Sequence, residues 1–127
     1  MKDKNPLSPH IQIYSWHISS LVSISHRITG IINILIITLI CFWLAYLLLG
    51  SQNYEIIFNF FGTYLGKFLI VGSVWSFSFQ ALSEIRHLFW DLGFGFEIKT
   101  SNITGILVIF GSFILTIFFL LIKNSLL

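Results

Sequence analysis

Between Ile28 and Tyr54 the chain carries no charged residue, and Ile31 to Gly50 is almost wholly apolar. At about 1.5 Å of rise per residue, such a run crosses a hydrocarbon layer of roughly 30 Å as a helix. A backbone in lipid must satisfy its own hydrogen bonds, and a helix does so locally. This run therefore makes lipid the solvent. Composition agrees: 56% of the 127 residues are hydrophobic, 9% are charged, and the mean hydropathy is +0.90. The expected fold is all-α, an integral membrane bundle of three transmembrane helices forming one domain over 1–127.

The first span is expected at about 20–49, extending below the hydrocarbon and carrying Ser23, His26 and Arg27 in its first turns. Gly50-Ser-Gln-Asn53 is a turn signal, followed by a loop to Asn59. The second span is expected at about 60–88, with Lys67 near its outer end, placed to snorkel to the headgroups. Asp91-Leu-Gly-Phe-Gly95 ends it, because two glycines let the chain turn. The third span is expected at about 102–122 and is uncharged until Lys123. Cys41 is the single cysteine, so neither an internal disulfide nor a zinc cluster built on cysteines is available. The polar start of the chain does not read as a cleaved signal peptide.

Lys2, Lys4, Arg27, Arg86 and Lys99 fall on one side of a three-span bundle, and Lys67 and Lys123 on the other. That bias places the N-terminus in the cytoplasm, or in the matrix of a mitochondrion, and the C-terminus opposite. With charges so few and dispersed, no nucleic-acid partner is expected. The basic side also holds His10, His17, Ser19, Ser20, Ser23, Ser25, His26, Glu84, His87 and Asp91. Such asymmetry fits a function at one membrane surface, and equally an inert anchor whose charges fix topology. Arg27 is the sharpest of these residues, since a charge at mid-membrane costs roughly 2.5–3.5 kcal/mol on insertion scales. Ser23 lies one turn earlier on the same helix face. A hydroxyl and a guanidinium converging at the membrane edge suit the polar head of a lipid-soluble molecule. His87 and Asp91, four residues apart, can pair on one face. Gly30 is a candidate for close helix or cofactor approach.

Three segments carry a family resemblance: Pro6-Leu-Ser-Pro-His-Ile-Gln-Ile-Tyr14, Ser23-Ile-Ser-His-Arg-Ile-Thr-Gly30 and Ile85-Arg-His-Leu-Phe-Trp-Asp-Leu-Gly93. In order and spacing they resemble the cytochrome b membrane-anchor subunit of succinate dehydrogenase. The resemblance implies a complex with a flavoprotein subunit that oxidises succinate, an iron–sulfur subunit and a second small membrane anchor. It implies ubiquinone as substrate, haem b shared with the partner anchor, and a bacterial or mitochondrial inner membrane as location. Ser23, Arg27 and Asp91 match quinone-binding positions, while His26, Arg86 and His87 match positions around the haem and its propionates. The chemistry suits Ser23 and Arg27: a hydroxyl can donate to a quinone carbonyl, and a guanidinium stabilises the charge that develops there.

One departure stands out. Haem-binding members carry His-x-x-x-Gly-x-Arg-His in the second span, the first histidine being an iron ligand. Here the stretch reads Gln80-Ala-Leu-Ser-Glu-Ile-Arg-His87. An amide is a poor ligand for haem iron. His87 lies about 10 Å further along the helix. Three arrangements remain open: no haem, haem held through the partner's histidine alone, or another histidine in a shifted geometry. Two other functions also remain open: an anchor of a quinol:fumarate reductase, and a structural anchor without a working pocket. The chain contains nothing for succinate chemistry itself. A transporter is disfavoured because no charge sits at mid-span and no helix is visibly broken.

Overall fold

The computed structural model describes residues 17–126; for 51–53 and 124–126 it describes the backbone alone. Lys2, Lys4, His10 and the segment Pro6–Tyr14 lie outside the described residues. Four helices follow one another: α1 (Ile18–Leu47), α2 (Ser51–Gly62), α3 (Tyr64–Asp91) and α4 (Ile98–Leu126). No strand occurs among the described residues. α1, α3 and the stretch Ile98–Lys123 of α4 are each long and apolar enough to span a membrane. The expected all-α bundle of three transmembrane helices is what the chain forms.

One local expectation fails. The loop expected up to Asn59 is instead the short helix α2. The turn signal is real but brief: Gly50 adopts φ 139°, open to glycine, and the helix starts at the next residue. α2 carries a single charge, Glu55, among Tyr54, Phe58, Phe60 and Phe61. Tyr54 and Phe58 stack at 5.7 Å, and Phe61 meets Trp43 of α1 edge-on at 6.2 Å. Short, aromatic and weakly charged, it suits the membrane interface rather than a crossing.

Thr63 then serves two helices at once. Its backbone ends α2, and its hydroxyl accepts from Gly66 N (3.1 Å) to cap α3. The same hydroxyl donates to Phe60 O at 2.6 Å. At the other end, α3 closes in a Schellman arrangement. Gly93 N donates to Trp90 O (2.9 Å), Phe94 N donates to Phe89 O (3.0 Å), and Gly93 takes φ 88°.

Packing is inverted relative to a water-soluble protein. The buried hydrophobic side chains are Val22, Phe79 and Val108. The buried polar ones are Thr29, Asn33, Ser76, Ser78, Ser83, Arg86, Ser112 and Thr116. Leucine, isoleucine and phenylalanine cover the outside, as a lipid solvent permits. Gly105 of α4 lies against Ile18 and Val22 of α1, so the start of α1, the end of α3 and the start of α4 share one side. That side holds Ser23, His26, Arg27, Glu84, Arg86, His87, Asp91 and Lys99.

The α2–α3 corner generates a stability prediction. A Cβ at Gly66 would press on the Phe60 carbonyl oxygen and sit 2.6 Å from Phe61 Cα. Alanine is the better helix former by about 1 kcal/mol. We nevertheless expect Gly66→Ala to destabilise by roughly 1–3 kcal/mol, the cost of overpacking rigid backbone. Thermal unfolding in detergent checks this, and an unchanged or raised melting temperature would contradict it.

Candidate functional site

α1 and α3 meet along a polar seam rather than an apolar one. On α1, Val22, Thr29 and Asn33 form the buried stripe, and His26 lies within it. On α3, Ser76, Gln80, Ser83 and His87 recur at spacings of four, three and four, the repeat of one helix face. Deepest in the seam, Ser76 Oγ donates to Asn33 Oδ1 at 2.6 Å and approaches Thr29 O at 3.3 Å. Next, Thr29 Oγ1 donates to Gln80 Oε1 at 2.8 Å, close also to the carbonyls of Ser25 (2.9 Å) and His26 (3.1 Å). Nearest the polar end, His26 Nε2 lies 2.9 Å from both Gln80 Nε2 and Glu84 Oε1. Exposure rises in the same order: Ser76 is fully buried, while the His26 and Glu84 side chains are 22% and 61% exposed.

His26 Nε2 can hold one hydrogen. It cannot donate to the Glu84 carboxylate and accept from the Gln80 amide at once. A half-turn of that amide removes the conflict: Gln80 Nε2–H then donates to Thr29, whose hydroxyl donates to Ser25 O, and His26 Nε2–H serves both oxygens. His87 is simpler. Its Nδ1 lies 2.7 Å from Ser83 O, and a carbonyl can only accept, so Nδ1 carries the hydrogen, and in the neutral ring Nε2 is the lone-pair atom. The His87 ring sits between His26 (centroids 5.1 Å apart) and Trp90 (5.2 Å, edge-on). It does not pair with Asp91, contrary to the sequence expectation, because the helix's own carbonyl one turn back is the nearer acceptor.

The predicted site residues divide into three groups. His26 and His87 come together, joined by Gln80 and Glu84. Ser23 and Arg27 are exposed on α1, one turn apart, and neither side chain bonds to any described residue. Asp91 is exposed at the end of α3, beside Glu84 and His87 on the rim of a shallow depression of ≈ 320 Å³. Arg86 goes elsewhere. It is 5% exposed and faces α4, donating from Nε to Thr104 Oγ1 (3.1 Å) and from Nη2 to Ser101 O (3.0 Å) and Ser101 Oγ (2.9 Å). The Trp90 ring lies 4.1 Å from its guanidinium carbon. Beside it runs an apolar groove of ≈ 390 Å³ whose walls include Leu82, Phe89, Phe94 and Leu107. Arg86 and His87 are sequence neighbours on different faces of α3, about 100° apart.

Sequence reasoning does not single out Thr29, Asn33, Ser76 or the His26–Glu84 pair. The signal was there in the polar stripe of α3 and in the four-residue spacing of Thr29 and Asn33. Gly30 also reads differently in the structure. A Cβ there would meet Gln80 Nε2 at 3.6 Å, an ordinary contact, so close helix approach does not require glycine.

The geometry can now be set beside known proteins. The family model for the succinate dehydrogenase/fumarate reductase transmembrane subunit matches residues 1–119. The chain belongs to that family. It is 39% identical over 114 residues to the succinate dehydrogenase cytochrome b556 subunit of Rickettsia felis, covering 90% of this chain and 89% of that one. Similarity to the cytochrome b556 subunit of Paracoccus denitrificans is 31% identity over 121 residues, or 95% and 93% of the two chains. Similarity to the cytochrome b560 subunit of Marchantia polymorpha is 35% over 117 residues, or 87% and 84%. The resemblance read from the three motifs is thus correct at the level of the family.

Within this family member, Arg86 secures α3 to α4. Arg86→Lys keeps the charge but loses the fork that reaches Ser101 and Thr104 and the stack on Trp90. We expect it to destabilise by roughly 2–3 kcal/mol, since bonds to a buried charge are each worth about 1.5–3 kcal/mol. A melting temperature in detergent equal to wild type would contradict this.

Proposed function

We propose that the chain is a membrane-anchoring subunit of a succinate:ubiquinone oxidoreductase and forms part of its quinone-reduction site. One observation carries the reading. Ser23 and Arg27 lie one turn apart at the polar end of α1, exposed and without side-chain partners among the described residues. Their donors therefore face outward, toward whatever the chain meets at the membrane edge. A quinone carbonyl accepts from the Ser23 hydroxyl, and Arg27 stabilises the oxygen that gains negative charge as electrons arrive. Complete reduction consumes two electrons and two protons. Electrons come from an iron–sulfur subunit, itself served by a flavoprotein that oxidises succinate. Asp91, at the rim beside His87, lies where such a soluble subunit docks. A second small anchor covers the faces this chain leaves to lipid. The N-terminus faces the cytoplasm or matrix of a bacterial or mitochondrial inner membrane, a reading supported by the Lys and Arg bias of the sequence.

Haem b, implied by the cytochrome b names of the relatives, would supply one-electron storage where it is bound. The residues here do not fit it at the axial position. Gln80 is an amide already engaged by Thr29 and His26. Where haem is bound, His26 and His87 would border it. Arg86, committed to α4, serves packing instead.

The Ser23–Arg27 reading predicts that Arg27→Ala in the assembled complex lowers succinate:quinone reductase turnover by about 100-fold, as loss of one electrostatic stabiliser does. Succinate oxidation by a soluble artificial acceptor stays unchanged. Intact quinone turnover would leave a structural anchor as the reading. The Gln80 argument predicts no low-spin bis-imidazole b-type spectrum in the dithionite-reduced wild-type complex, with Gln80→His creating one. A stoichiometric bis-imidazole signal in wild type would overturn it.

A further inference from the structure

His26, Glu84 and His87 each offer one ligand atom, and the three atoms lie within 4.8 Å of one another. We propose that they form a binding site for a divalent transition-metal ion of the zinc class. The proposal does not rest on the quinone reading, because it concerns α1–α3 residues other than Ser23 and Arg27 and is read by metal content.

His87 Nδ1–H is spent on the Ser83 carbonyl, which leaves the other ring nitrogen as a lone-pair atom. A backbone carbonyl holding one imidazole N–H is the usual partner that orients a metal-ligating histidine. The Glu84 carboxylate offers only lone pairs. His26 Nε2 offers one hydrogen at most, shared between Gln80 and Glu84. With both rings neutral, three acceptor groups thus converge with at most one proton among them. A dication takes all three lone pairs, that proton moving to His26 Nδ1 or to solvent, and Gln80 stays with Thr29. Two imidazoles and a carboxylate favour zinc, cobalt, nickel or copper over magnesium or calcium.

The geometry is within reach. Zinc binds nitrogen and oxygen at about 2.0–2.2 Å, so tetrahedral ligand atoms sit roughly 3.3 Å apart. Closing from 4.8 Å requires side-chain rotation only, and Glu84, 61% exposed, has room for it. Water fills the fourth position. Glu84 and His87 come from one turn of α3 and His26 from α1, so the ion joins two helices at their polar end.

The test uses the purified, assembled complex in detergent, freed of loose metal on a chelating resin and dialysed against Zn²⁺ alone at neutral pH. Wild type should retain one more zinc per copy of this chain than Glu84→Gln, and excess Mg²⁺ should not displace it. His26→Ala and His87→Ala should weaken that zinc on the order of 100-fold, at least the upper range for losing an outer partner of a metal ligand. X-ray absorption at the zinc edge on wild type should show imidazole and carboxylate ligands, a readout that needs no variant to fold. Equal zinc in wild type and Glu84→Gln, or a shell dominated by sulfur, would overturn the site. So would a failure of wild type to take up zinc.

Discussion

Hydrocarbon offers no hydrophobic drive to bring one apolar helix onto another. α1 and α3 are held instead by the seam Asn33–Ser76, Thr29–Gln80, His26–Glu84, which pairs polar side chains that lipid would leave stranded. Each such bond contributes modestly, about 0.6 kcal/mol on average in membrane bundles. Their alignment matters more than their sum. The seam fixes the rotation of α1 about its axis, and that rotation decides which residues face α3 and which face outward. With Thr29 and Asn33 turned inward, Ser23 and Arg27 are turned out. The exposed pair on which the quinone reading rests is a consequence of the buried pairs above it.

α3 is fixed from the other side. Arg86 reaches Ser101 and Thr104 on α4 while its neighbour His87 turns toward His26 on α1. A buried guanidinium is tolerable only with its donors filled and its face covered, and Ser101, Thr104 and Trp90 do both. A charge matched by resemblance to the haem surroundings thus also ties α3 to α4.

The membrane class and span number were legible because they follow from uncharged length alone, as in Ile28 to Tyr54. The family was legible because its motifs are local strings. α2 was not, because a turn signal such as Gly50-Ser-Gln-Asn53 says that a helix stops and not how soon another begins. The His26–Glu84 contact was not, because it joins positions 58 residues apart. Only the rotations of two helices decide whether they meet. Spacing allows His87 to pair with Asp91, yet its Nδ1 bonds the backbone carbonyl of Ser83. Spacing shows which groups can meet and leaves open which acceptor wins.

Gln80 shows how these strands connect. A histidine at this position would offer a ring nitrogen, and the seam would lose the two-sided amide that bonds both Thr29 and His26. With glutamine the helix pair closes on itself, and the polar end gains Glu84 where the family pattern has glycine. The two departures lie one turn apart and touch the same nitrogen, His26 Nε2. An unpaired carboxylate would be a poor addition at a membrane edge. Set against His26, with His87 presenting a lone pair nearby, it becomes part of a donor set. Gln80 and Glu84 thus act as one change: an amide stands where the family pattern has histidine, and a carboxylate one turn nearer the surface joins His26 and His87.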